Sequence, residues 1–152
     1  GCSNIAFFFF FTALEITQRL EGCTAAMDRA GLSNKLSLLP AHLADDPTDT
    51  AIAEFLMQAN DRPDGIFAAS DVIAMSALRT LAEMEISVPG DIKVVGYDGL
   101  ALGEHTVPRL STIRQDLTTG AHNLIDLLLR RIAGEETASV VMPPELVIRM
   151  SS

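Results

Sequence analysis

RPDGIFAASDVIAMSALRTLAEMEISVPGDIKVVGYD, residues Arg62 to Asp98, is the stretch whose reading decides the fold. Pro63, Asp64 and Gly65 turn the chain, and the apolar run Ile66 to Ala69 after them predicts a buried strand. Ser70 or Asp71 then caps a helix running to about Met84, with Ile73, Leu78, Leu81 and Ala82 toward the core. A second apolar run, Ile92 to Val95, predicts the next strand. Strand, helix and strand in succession imply a parallel pair, because parallel neighbours need a crossover and a helix supplies it.

The same alternation extends in both directions. Upstream, Ile5 to Phe10 reads as a strand, and Glu15 to Ala30 as a helix with Ile16, Leu20, Cys23, Met27 and Ala30 at helical spacing. Gly31 suits the left-handed position after that helix, with Leu32 folding back on its last turn. Leu36 to Leu39 is a short strand stopped by Pro40, and Thr50 to Ala59 a further helix beyond an Asp46-Pro47 turn. Downstream come a strand at Ser111 to Arg114, a helix from Leu117 to Ala133 closed by Gly134, and one or two strands around Pro143-Pro144. The fold class that follows is α/β: one domain over residues 1–152, a doubly wound, mostly parallel sheet with helices on both faces. Ligands on such sheets collect at the carboxyl ends of the strands. Ser70-Asp71 and Asp98 lie at two such ends, and a long loop, Gly99 to Arg109, follows the second. Loops of that length inside compact domains usually do something.

Composition excludes several functions. The chain has 152 residues, 48% hydrophobic and 20% charged, enough for one domain with its own core. Eleven Lys and Arg stand against twenty Asp and Glu, for a net charge of −9, which repels a phosphate backbone. The run of five phenylalanines, Phe7 to Phe11, is too short for a membrane span and lacks the flanks of a signal peptide. Two cysteines, Cys2 and Cys23, do not make a disulfide framework. His42, His105 and His122 are too scattered for a metal site, and P-loop, dinucleotide and nucleophile-elbow motifs are all missing, which leaves an α/β enzyme nothing to rest on.

The ordered stretches QRLEGCTAAMDRAGL, residues 62 to 116 and MPPELVIRMSS are similar to the regulatory core of the lac/gal repressor family of bacterial transcription regulators. The resemblance runs from about Thr17 to Ser152. It implies the second subdomain of a core that resembles periplasmic sugar-binding proteins, without the first subdomain and without the helix-turn-helix domain that reads DNA. It also implies a small-molecule effector, a sugar or relative, bound between subdomains. It further implies a homodimer, a cytoplasmic protein away from membranes, contact with DNA only through the absent domain, and neither a cofactor nor catalysis. The helix 117–133 is expected to pack on the missing subdomain. The other reading with this fold is the sugar-binding component of a transport system.

Residue by residue, Arg19 matches the family's effector-binding arginine; a planar guanidinium suits paired hydroxyls. The plainer reading is a surface salt bridge to Glu15 or Glu21. Asp98 matches the effector-binding carboxylate, able to accept from two hydroxyls, against a loop Asp capping its own turn. Ser70 stands where many members have Asn, and also reads as a helix cap. Gln115 lies near the family's hinge, or is an exposed loop amide. Met75 and Leu78 on the helix, with Leu100, Leu102 and Val107 in the long loop, match the subunit interface. Two departures stand out: Phe8 to Phe11 replace a Gly-containing loop, and DDPTD offers Pro47 where an aromatic often stacks on the effector.

Overall fold

The computed structural model describes residues 1–10, 13–40 and 48–152, with Thr48 described by its backbone alone. The expectations at Phe11, His42 and the Asp46-Pro47 turn lie outside the described residues. The elements run β1 (Ile5–Phe9), α1 (Leu14–Arg29), β2 (Leu36–Pro40), α2 (Thr48–Gln58), β3 (Gly65–Ala68), α3 (Asp71–Glu83), β4 (Lys93–Asp98), β5 (Ser111–Arg114), α4 (Leu117–Ile132) and β6 (Glu145–Val147). A short 3-10 turn, Ala101–Glu104, interrupts the loop after β4. The sheet order is β2-β1-β3-β4-β5-β6; β6 alone is antiparallel, joined to β5. The chain therefore reverses direction across the sheet between β1 and β3, and a ligand crevice is expected at the carboxyl ends there.

The phenylalanine run follows from burial on both faces. Side chains alternate along a strand, so one strand of a doubly covered sheet needs apolar groups at every position. Phe7 meets Phe67 at 5.4 Å between ring centroids on the α1 side. Phe8 meets Phe55 of α2 at 5.6 Å on the other. On that second face Phe8, Ile66 and Val94 pack with Ile52 and Leu56 of α2 and Ile73 and Leu81 of α3. Each such side chain, once fully buried, stabilises the fold by about 1.5–3 kcal/mol. The α1 face is covered less completely. Phe67, Val95, Ile113 and Leu146 line an open, apolar groove of about 430 Å³ beyond the reach of α1.

Helix ends follow their local chemistry. Gly31 has φ 72°, its N–H donates to Asp28 O, and Leu32 N–H donates back to Met27 O at 2.9 Å, the expected left-handed stop. Gly134, φ 83°, closes α4 in the same way. Ser70 caps α3, its Oγ accepting from Ile73 N–H at 3.3 Å. Asp116 caps α4, accepting from Thr119 N–H at 2.9 Å. Cys2 and Cys23 are both free thiols. None of the described helices is long and apolar enough to cross a membrane.

α4 is amphipathic, with Arg130 and Arg131 at its carbonyl end, yet it buries no residue. Leu117, Leu124, Leu128 and Ile132 are each more than half exposed. The helix leaves the sheet through Gln115 and Asp116 and stands away from it.

Candidate functional site

The carboxyl ends of β3, β4 and β5 bring polar groups to one mouth. Tyr97 and Asp98 end β4, the Ala69 carbonyl follows β3, and Gln115 follows β5. Arg19, in the second turn of α1, reaches over from the opposite side of the switch point. Its guanidinium lies 3.8 Å from the centroid of the Tyr97 ring, a cation–π contact. One of its nitrogens donates to the Ala69 carbonyl, and Nη2 stands 3.5 Å from Asp98 Oδ1. Glu15 and Glu21, the partners expected of a plain surface arginine, are not the ones it takes. Beside it opens a cleft of about 720 Å³, lined among others by Gln18, Arg19, Tyr97 and Gln115. A second cleft, about 680 Å³, lies along Asp98, Arg114, Gln115 and Asp116. Gln115 borders both.

Asp98 is strained and electrostatically pressed. Its φ of 113° is a conformation that side-chain-bearing residues avoid. Burial pushes its carboxyl above the usual carboxylate range; Arg19 pulls it back, and the neighbouring Asp71 charge pushes it further up. Gly99, φ 76°, follows. A Cβ on Gly99 would come within 2.6 Å of the Arg114 side chain, so this turn requires glycine.

The other expected site residues fall differently. Ser70 spends its hydroxyl on the helix cap. Asp71, expected with Ser70 at the crevice mouth, is instead wholly buried beneath it. It accepts from Leu100 N–H at 2.7 Å and from the Thr112 hydroxyl at 2.6 Å. Leu78, placed toward the core by helical spacing and at a subunit interface by resemblance, is 5% exposed and packs in the core of the chain itself, as the spacing has it. It lies on the α3 face shared with Ala74 and Leu81, and that face turns to the sheet. Met75 is half-buried against the same core. Leu100, Leu102 and Val107 are exposed, Val107 at 90%. Tyr97 and the Ala69 carbonyl were not singled out in the sequence. Tyr97 could have been, as an aromatic directly preceding a strand-end carboxylate. No group of His, Cys, Asp and Glu able to hold a metal occurs among the described residues.

The chain's relatives agree with this architecture. Residues 1–152 match the family model described as a periplasmic binding protein-like domain. The HTH-type transcriptional repressor PurR of Vibrio vulnificus is 33% identical over 135 residues, covering 87% of this chain and 40% of that protein. A LacI transcriptional regulator from a Rhodococcus species superposes with a TM-score of 0.87 at 32% identity, over 100% of this chain and 56% of that one. The transcriptional regulator CelR in complex with cellobiose gives a TM-score of 0.85 at 32% identity, over 100% of this chain and 47% of that one. The chain thus spans about two fifths of the curated repressor and about half of each solved regulator. A match running from the first residue to the last leaves no part of the sequence outside the relationship: the chain belongs to the periplasmic binding protein-like domain family, with transcription regulators of the lac/gal repressor type as its relatives.

Proposed function

We propose that the chain is the effector-binding and dimerisation core of a bacterial, cytoplasmic transcription regulator, and that its effector is a neutral sugar. The observation that carries this reading is the meeting of Arg19, Tyr97 and Asp98 at the carboxyl mouth of the sheet. A planar donor fork and an ionised acceptor side by side match the paired hydroxyls of a pyranose or furanose. Charge argues for neutrality. Arg19 is already balanced by Asp98, Asp71 adds a buried negative charge behind it, and the chain carries −9 in all. Among the described residues the two arginines at the clefts are already paired, Arg19 with Asp98 and Arg114 with Glu145, so a sugar phosphate would meet an acidic field.

In this reading residues 1–152 act as one subdomain, and α4 packs against a further part of the whole protein. Ser70 and Gln115 border the effector, Leu100, Leu102 and Val107 meet a second copy, and DNA is read by a separate domain. The effector favours one arrangement of the two halves, and the dimer passes that arrangement to its DNA-reading heads. The repressor names of the relatives favour a regulator over a transport component. The test is calorimetry on the intact protein with cellobiose and other neutral sugars against sugar phosphates. Binding of a neutral sugar, lost in Asp98→Ala, is expected. Binding that is unchanged in Asp98→Ala, or preference for the phosphate, overturns the reading.

A further inference from the structure

Asp71 is the one buried ionisable side chain among the described residues, at 0% exposure. A buried carboxylate is costly unless its oxygens are fully engaged, and no described cation pairs with it. The helix does not need it as a cap, since Ser70 already fills that place. Both of its oxygens instead point out of α3 toward other elements. Oδ2 accepts from the Leu100 N–H at 2.7 Å, and Oδ1 from the Thr112 hydroxyl at 2.6 Å. Thr112 Oγ1 in turn accepts from the Gly99 N–H at 3.2 Å. Gly96 makes the room: a Cβ there would come within 2.2 Å of Asp71 Oδ1.

These bonds end on the two residues that follow Asp98. The backbone there turns through two consecutive positive φ angles, 113° at Asp98 and 76° at Gly99. A non-glycine residue keeps such a conformation only where its surroundings over-determine it. The amides of Gly99 and Leu100 are the fixed points, and Asp71 with Thr112 fixes them. Being wholly buried, Asp71 has no access to a ligand itself. We propose that Asp71 is a positioning residue for the effector: through Thr112 and the Leu100 amide it locks the left-handed Asp98–Gly99 turn that aims the Asp98 carboxylate at Arg19 and the cleft. This rests on the effector-site reading above.

The test uses Asp71→Asn, which keeps the shape but removes the charge and one acceptor. Circular dichroism first establishes that the variant folds. Two measurements then need no ligand. Amide exchange at Gly99 and Leu100 is expected to speed up at least ten-fold, with core strands unaffected. The carboxyl of Asp98, followed by carbon-13 NMR, faces Arg19 from α1 and Asp71 from α3, so loss of the Asp71 charge should move its titration to lower pH. With cellobiose as the probe, affinity should fall ten-fold or more. Thr112→Val should reproduce the faster exchange and the weaker binding, and Thr112→Ser, which keeps the hydroxyl, should restore both; this pair decides the matter if Asp71→Asn does not fold. Unchanged exchange and an unmoved Asp98 titration in a folded variant overturn the proposal. If Asp98→Ala leaves cellobiose binding intact, the site reading fails instead, and the two NMR readouts still decide what Asp71 does.

Discussion

Nη2 of Arg19 stands 3.5 Å from Oδ1 of Asp98, within ion-pair range but beyond a normal hydrogen bond. The attraction holds the two charges near each other while leaving the carboxylate able to accept from something else. Arg19 is meanwhile fixed by the Tyr97 ring and the Ala69 carbonyl. The site is therefore preorganised on its donor side and open on its acceptor side.

Arg19→Lys should weaken neutral-sugar binding by about ten-fold or more, with little change in thermal stability. An ammonium keeps the charge but gives up the planar fork and its stacking on Tyr97. Calorimetry checks the affinity, and equal affinity for the two proteins would remove the fork from the recognition scheme.

Acid should act on Asp98 in two opposite senses. Burial and the Asp71 charge outweigh Arg19, so its pKa is higher in the folded chain than the ordinary 3.8. Such a group carries no penalty below its unfolded pKa and costs stability as pH rises toward its folded pKa. Asp98→Asn should therefore match the parent near pH ~3 and be the more stable of the two at neutral pH. The proposed effector binding uses the ionised form and should fade as pH falls through the folded pKa, beginning above 3.8. Melts and calorimetry across pH check both, and an Asn variant less stable at neutral pH would contradict the sign.

The loop after β4 should control association. Leu102 is 61% exposed and Val107 90%, so both side chains stand largely in water. Replacing both with Glu is expected to convert the proposed dimer to a monomer in light scattering. A double variant with the mass of the parent moves the interface elsewhere.

The apolar face of α4 should be nearly silent in the stability of this chain. Since none of its residues is buried, Leu124→Gln with Leu128→Gln should change the unfolding free energy by less than about 0.5 kcal/mol. Self-association and dye binding should fall. A loss of several kcal/mol in chemical denaturation would mean that this face is covered after all.

Much of the architecture was legible because it rests on patterns carried by neighbouring residues. The expected strand Ile66 to Ala69 differs by one residue from the observed Gly65–Ala68, and both glycine stops, Gly31 and Gly134, fall where expected. The approach of Arg19 to Asp98 was also expected, through resemblance, since periodicity places each on its own element without saying that they meet. Asp71 was misread for a physical reason. An acid directly after a helix cap looks like part of the cap, and only the three-dimensional approach of Leu100 and Thr112 pulls it inward. Helical spacing placed Leu78 toward the core, where it lies, and only its assignment to a subunit interface by resemblance fails, because the sheet covers that face of α3. Tyr97 was passed over because alternation along β4 explains an aromatic there without a ligand.

The two outermost strands bear on how copies of this molecule meet. An open sheet margin is a template for adding further strands. Here one margin, β2, ends in Pro40, which lacks an N–H to donate. The other, β6, is three residues long and directly follows Pro143 and Pro144. Proline and brevity thus make both margins poor starting points for runaway stacking into fibres. A chain with so much apolar helix and loop in water can then associate through those surfaces, in closed and countable assemblies, without its sheet extending from one molecule to the next.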